Sequence, residues 1–247
     1  MKILFYNLGY GRGIDGSLVS YCKHLHRFIY QSAGSQKKVI DAAAEIVVKE
    51  KPDVFAYAEV GLGATRTGNF NQHSHLVSSM VNTVESSAAT KYGESLFSKL
   101  PFHAGNGNGL ISFQSAEIEP LYLRNSRKKL VYVCKLEAVT VFVVHLPLIS
   151  SDRALQLKEL SSLVNQTSGD VVVCGDFNIF NGFDELAYLK EKSLLQNIPE
   201  PMKTYPSHKP KIQLDVFLYR FANDSFMPKQ RTIDSVCSDH LPIVLEW

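Results

Sequence analysis

Val171-Val172-Val173-Cys174-Gly175 runs without a break into Asp176-Phe177-Asn178. A short β-branched run closed by Gly reads as a strand buried on both faces, and this one ends on a carboxylate and a carboxamide. The same pattern recurs outward in both directions. Lys2–Asn7 is apolar and closes on Asn7, Asp53–Glu59 closes on Glu59, and Thr140–His145 closes on His145. Toward the C-terminus, Asp215 lies inside Leu214-Asp215-Val216-Phe217, and Ser238-Asp239-His240 precedes the run Leu241–Glu246. Together with Gly109–Phe113, Leu130–Leu136, Asp170–Gly175 and Gln213–Tyr219, these segments are the expected strands.

Helical periodicity lies between them. Gln36–Lys51, His73–Ser87, Ser151–Asn165 and Gly182–Lys192 read as helices. Pro52 stops the first, and Ser151-Asp152 supplies an N-cap for the third. Leu130–Leu136 and Thr140–His145 are joined by Glu137-Ala138-Val139 alone, which predicts an antiparallel hairpin and excludes a purely parallel sheet. Mixed sheets with helices outside are expected. Gly9–Ser35 is a long insertion with a candidate extra helix over Leu18–Tyr30. Its apolar residues Leu18, Tyr21, Cys22, Leu25 and Phe28 are expected to pack on the body of the domain, the alternative being contact with lipid.

The composition bounds the rest. The chain has 247 residues, of which 45% are hydrophobic and 20% charged, with 26 Lys+Arg against 24 Asp+Glu. That balance excludes a disordered chain and requires no nucleic-acid partner. No apolar run reaches about 18 residues, so no membrane span is expected. Met1-Lys2-Ile3-Leu4-Phe5-Tyr6 reads as a first strand and not as a signal peptide, and Cys22, Cys134, Cys174 and Cys237 are too scattered for a disulfide framework. Reduced thiols and a cytoplasmic setting follow as expectations. Without repeats or linkers, residues 1–247 read as one domain.

If the strands present one end together, Asn7, Glu59, His145, Asp176 and Asn178 converge, and Asp239-His240 enters from a loop. Such an oxygen-rich set suits Mg²⁺, or Mn²⁺, better than zinc. Taken alone, an Asp or Glu after a strand is a solvated loop residue, and a lone His is a core histidine. Asp215 within a strand is different, because a buried carboxylate needs a partner, and His240 is available.

The segments Tyr6-Asn7, Ala58-Glu59-Val60, Gly107-Asn108-Gly109-Leu110-Ile111-Ser112, Val144-His145-Leu146, Gly175-Asp176-Phe177-Asn178, Thr204-Tyr205-Pro206-Ser207, Leu214-Asp215-Val216-Phe217 and Ser238-Asp239-His240-Leu241-Pro242 occur in this order. On these segments the chain resembles the endonuclease/exonuclease/phosphatase superfamily with its DNase-I-like fold. The resemblance implies a four-layered α/β sandwich, two mixed sheets packed face to face with helices outside. It implies Glu59 as a direct Mg²⁺ ligand, helped by Asn7 and Asp239, and Asp176 as the residue that orients or deprotonates the attacking water. Asn178 and Asn108 become substrate-binding positions. Asp215 becomes the partner of a phosphate-binding His240, and His145 a group that binds phosphate and assists the leaving group. Three features depart from the family pattern: Ala58 stands where Gln usually precedes the Glu, His145 stands where the abasic-site endonuclease branch has Tyr, and Thr204–Pro210 stands in place of that branch's Gly-aromatic/Arg-Arg feature before Asp215.

Outside these segments, Arg12 is a candidate phosphate contact. Arg124, Arg127, Lys128 and Lys129 read as a solvated hairpin end, with nucleic acid or anionic lipid as the alternative partner. The expected activity is Mg²⁺-dependent hydrolysis of a phosphodiester, in nucleic acid or a phospholipid headgroup, by in-line attack of water. A phosphomonoesterase acting on a sugar or inositol phosphate, and a non-catalytic binding protein on the same fold, are the alternatives.

Overall fold

A computed structural model describes residues 1–223 and 225–247. The first half of the chain builds one sheet. β1 (Lys2–Asn7) leads through α1 (Leu18–His24) and α2 (Ala33–Glu50) to β2 (Val54–Gly61), and α3 (Gln72–Ser79) precedes β3 (Glu85–Thr90) and β4 (Asn106–Ser112). The second sheet follows, with β5 (Glu117–Tyr122), β6 (Leu130–Lys135), β7 (Val139–His145), α4 (Ser150–Asn165), β8 (Asp170–Asp176), α5 (Ala187–Ser193) and β9 (Asp215–Arg220). β10 (Lys229–Thr232) and β11 (Ile243–Glu246) then return to the first.

The strand orders are β10-β11-β1-β2-β4-β3 and β5-β6-β7-β8-β9. Each sheet has one parallel pair, β1 with β2 and β7 with β8, and its other pairings are antiparallel. The crossovers explain this: α2 and α4 are long enough to carry the chain back to the starting edge, whereas the tight β6–β7 turn is not.

Side-chain alternation assigns the layers. Ile3 and Phe5 of β1 point inward to meet Val141, Val143, Cys174 and Phe217 of the other sheet, while Leu4 and Tyr6 lie beneath Ile40, Ala43 and Val47 of α2. On the opposite outer face, Leu157, Leu160 and Val164 of α4 cover Val171, Val173 and Phe142. The result is the expected four-layered sandwich of two mixed sheets with helices outside. Truncating Leu160, which is fully buried, to Ala would cost about 2–5 kcal/mol. Among the described residues, no helix is long and apolar enough to cross a membrane.

Several expected elements differ. The helix expected over His73–Ser87 ends at Ser79, where Met80 turns extended and buries its side chain. Its last residues join β3, because Glu85–Thr90 finds the open edge of β4. β3, β5 and β10 were absent from the expected strands, and all three are sheet edges. Edge strands bury too little for an apolar signature, and β5 even accommodates Pro120. β9 starts at Asp215, which therefore opens its strand instead of lying inside it. α4 starts at Ser150 with Ile149 as N-cap, and Asp152 sits in its first turn. Leu155 on this helix is exposed. The helix expected over Gly182–Lys192 is a 3-10 turn, Phe183–Leu186, followed by α5.

The insertion after β1 departs most. α1 stops at His24, a 3-10 turn covers Leu25–Phe28, and Leu18, Cys22 and Leu25 do not pack on the sandwich. Only Tyr21 and Phe28 of that expected face turn toward the body.

Candidate active site

The two parallel pairs end side by side, and in open α/β sheets such C-terminal strand ends are where ligands bind. Asn7 lies opposite Ala58 in one register, and His145 lies opposite Asp176 in the other. Asn7 joins the two sheets, its Nδ2 donating to Asp176 Oδ2 at 3.0 Å while its Oδ1 accepts from the Gly9 amide at 3.1 Å.

Glu59 is placed by a bulge. The β2–β4 register shifts between Tyr57 and Val60, and Glu59 adopts a left-handed conformation with φ of 54°. Such a bulge re-aims one side chain while the strand continues. Asn108 Oδ1 accepts the Glu59 amide at 3.2 Å and holds the bulge. Asn108 thus acts on the backbone of the carboxylate-bearing residue. Lys91 Nζ lies 3.5 Å from Glu59 Oε1. Burial would raise the Glu59 pKa, but Lys91, Lys128 and Arg12 outweigh it and hold the carboxyl below its ordinary range.

Asp176 is treated differently. Its Oδ1 accepts the Asn178 amide at 3.0 Å, and Asn178 Nδ2 donates to the Leu146 carbonyl at 2.8 Å, tying the β8 end to the β7 end. Burial pushes the Asp176 carboxyl up to about 6, with Asp215 and Glu59 adding and His240 and Lys128 opposing.

His240 Nδ1 donates to Asp215 Oδ2 at 2.7 Å, and Asp215 is fully buried with its Oδ1 unpartnered. Burial alone would lower the His240 pKa, but Asp215 and Asp176 reverse this and raise it to about 10, so the ring is an imidazolium. The Thr204-Tyr205-Pro206-Ser207 segment supports the pair. Thr204 Oγ1 accepts the Asp215 amide at 3.3 Å, Tyr205 packs 5.1 Å from the His240 ring, and the Ser207 amide donates to the Asp239 carbonyl at 2.8 Å.

His145 is the opposite case. Its Nε2 lies 2.5 Å from Lys128 Nζ and 3.5 Å from Asp176 Oδ2, and its buried Nδ1 has no partner. Burial, Lys128 and Lys91 hold its pKa well below the ordinary value, so this ring is neutral, and burial together with Lys91 pulls the Lys128 ammonium down to about 7.

A small cleft of about 90 Å³ opens above these groups, lined by Arg12, Tyr21, Phe28, Glu59 and Asp239. Asp239 Oδ2 accepts from Tyr21 Oη at 3.0 Å, and burial raises its pKa. The Arg12 guanidinium lies over the rings of Tyr10 and Phe28, at 4.7 and 4.4 Å, with its Nε buried and unpartnered. Residues 6–240, which span this whole constellation, match the endonuclease/exonuclease/phosphatase family.

The chain belongs to that family.

Members of the endonuclease/exonuclease/phosphatase family are hydrolases acting on phosphate esters. Similar solved structures agree on the fold. An endonuclease/exonuclease/phosphatase protein from Beutenbergia cavernae is 18% identical with a TM-score of 0.70, over 99% of this chain and 70% of that one. The mannosyl-6-phosphatase of Bacteroides thetaiotaomicron is 13% identical with a TM-score of 0.68, over 100% and 98%. An AP endonuclease from Archaeoglobus fulgidus is 14% identical with a TM-score of 0.63, over 100% and 99%. No curated protein matches the sequence.

Of the nine residues expected from the resemblance, Glu59 and Asp239 line this cleft, as does Arg12, and Asn7, Asn108, His145, Asp176, Asn178, Asp215 and His240 connect to them or to one another through the contacts above. Two further cations join them. Lys128 was read with Arg124, Arg127 and Lys129 as a solvated hairpin end; Arg124 and Arg127 are exposed, but Lys128 turns inward to His145. Lys91 carried no signal at all, since it follows β3, a strand the sequence concealed. The insertion proved informative through Tyr21, whose hydroxyl does polar work that an apolar-face reading does not show.

Divalent-ion donors are available in two places. Asp176, Asp215 and His240 offer atoms within 4.8 Å of one another. The 2.7 Å bond between Asp215 and His240, however, already uses His240 Nδ1. Glu59 and Asp239 instead line the open cleft, and their oxygens suit a hard cation.

Proposed function

We propose that the protein is a Mg²⁺-dependent phosphodiester hydrolase in which water attacks phosphorus in line. The observation that carries this reading is the opposition of Asp176 and His240 across one buried site, a carboxylate with a raised pKa facing an imidazolium. Such a pair supplies a base and a phosphate-binding cation together.

Asp176, oriented by Asn7 and the Asn178 amide, accepts a proton from the attacking water. The water oxygen bonds to phosphorus as the bond to the departing alcohol oxygen breaks. His240, held charged by Asp215, binds a non-bridging phosphoryl oxygen. Lys128 and His145 share a proton across their 2.5 Å contact, and this pair is the acid for the leaving oxygen. Arg12 and Asn178 add donors for the phosphate. Glu59 and Asp239 would hold the ion, with Asn7 joining through the second lone pair of Oδ1. A bound Mg²⁺ would neutralise phosphoryl charge.

A second reading is hydrolysis of a phosphomonoester, favoured by the concentration of Arg12, Lys91 and Lys128 around Glu59. The extra negative charge of a terminal phosphate would suit these cations. The test compares bis(p-nitrophenyl) phosphate with p-nitrophenyl phosphate in Mg²⁺ and in EDTA, beside Asp176→Asn. Diester cleavage lost in EDTA and in the variant supports the leading reading, and monoester-only cleavage supports the second. No hydrolysis of either by folded wild type would leave a binding protein on the same fold.

A further inference from the structure

We propose that the end of the molecule carrying the active site docks on an anionic lipid surface through residues 18–30, so that the phosphoester it cleaves is presented at a membrane. This rests on the phosphoesterase reading above.

The first observation is the unpacked face of the insertion. Leu18, Val19, Leu25 and Ile29 are 83%, 78%, 65% and 70% exposed. Each such side chain forgoes about 1.5–3 kcal/mol of burial when left in water. The apolar rim continues beyond the insertion. The loop after β7 exposes Ile149 and the loop after β8 exposes Phe180, at 62% and 49%. Three separate loops at the C-terminal ends of the two parallel pairs therefore present apolar side chains around one polar cleft. Scattered exposed apolar residues need no explanation, but a set gathered around one site marks an interaction surface.

The second observation is charge. Residues 16–40 contain the exposed Lys23, Lys37 and Lys38, besides Arg27, whose guanidinium turns inward to the Arg12 carbonyl, and no Asp or Glu. Arg124 and Arg127, exposed on the β5–β6 turn, stand at the same end of the sheets. Basic residues flanking an apolar face match an anionic bilayer, where each is worth about 1 kcal/mol near the surface. The third observation connects the face to the chemistry. Tyr21 and Phe28, on the inner side of this segment, form a wall of the cleft that holds Glu59 and Asp239. Seating the outer side on lipid would bring the cleft to the headgroup layer. A nucleic acid would use the basic residues but has no use for Leu18 and Ile29, since its backbone offers charge and not apolar surface.

The test is co-sedimentation of the full chain with phosphatidylcholine vesicles, with and without phosphatidylglycerol. Wild type is expected to pellet with the anionic vesicles. Leu18→Ser/Leu25→Ser/Ile29→Ser should weaken that partition at least about tenfold, and Lys23→Glu about fivefold. Both variants should keep wild-type hydrolysis of soluble bis(p-nitrophenyl) phosphate. Circular dichroism melts check that the triple variant folds; if it does not, Lys23→Glu carries the decision. Absence of pelleting by wild type, or equal pelleting by a folded variant, would overturn docking. So would a wild-type dimer that the triple variant loses, which would make a second copy the occupant, or oligonucleotide binding lost in its place. The soluble diester is read separately, so a wild type that pellets without hydrolysing indicts the phosphoesterase reading and not the docking.

Discussion

His145 and His240 lie in one site, both buried, yet one ring is neutral and the other is charged. His240 has Asp215 at 2.7 Å and is held protonated. His145 has Lys128 at 2.5 Å and is held neutral. Burial disfavours the charged form of both rings equally in kind, so the neighbour decides the outcome. One half of the site is thereby a fixed imidazolium, and the other a neutral imidazole in contact with a lysine.

The sharpest way to break the contrast is Asp215→Asn. His240 would lose the charge that sustains it, its imidazole pKa measured by NMR would fall from about 10, and diester hydrolysis would drop about 10³-fold. A wild-type rate in this variant would dissolve the distinction between the two histidines.

Stability against pH reads the same contrast in both directions. The folded pKa of His240 is raised from 6.5 to about 10, so its contribution is complete below 6.5 and is lost as pH rises through 10. The folded pKa of His145 is depressed, so its contribution is present above 6.5 and is lost as pH falls toward the folded value. Asp176, raised from 3.8 to about 6, runs against His145 on the acid side, its contribution fading as pH rises through 6. Urea unfolding should therefore show a loss of a few kcal/mol toward about pH 10, as implied by roughly 1.4 kcal/mol per pKa unit. Asp215→Asn should flatten that alkaline limb, and His145→Asn should change only the acid limb.

Lys128→Met tests the other half. Removing the ammonium should raise the His145 pKa toward its ordinary value and slow hydrolysis about 10- to 100-fold, with NMR titration and steady-state rates as readouts. The smallest effect is expected at Tyr21→Phe, outside both histidine halves. Loss of its hydrogen bond to Asp239 should weaken Mg²⁺ binding by about 1 kcal/mol, measured by calorimetry.

Legibility divides along physical lines. Asn7, Glu59, His145, Asp176 and Asn178 were readable because each directly follows an apolar run along the chain, and a strand delivers its last residue to a predictable end. Asp239 and His240 were readable from their position before the last strand together with a recognisable segment. β3, β5 and β10 were not, because edge strands carry no strong periodicity, and Lys91 stayed hidden with β3. Lys128 was visible as a charge, but its inward turn was not, since an exposed and a buried lysine look identical in sequence. The packing of residues 18–30 was misjudged for a related reason: an apolar helical face announces that it prefers cover without saying what provides it.

The amino-acid sequence by itself determined mixed sheets with helices outside and polar residues at the strand ends, because strand periodicity and chain adjacency are local properties; the pairing of two sheets face to face came from the resemblance to the family. Only the tertiary structure decided what those residues are chemically. Asp176 meets Asn7 across 169 positions, His240 meets Asp215 across 25, and His145 meets Lys128 across 17. Protonation is a property of such distances in a low-dielectric interior, where nearby carboxylates reverse the effect of burial at His240 and a nearby lysine reinforces it at His145.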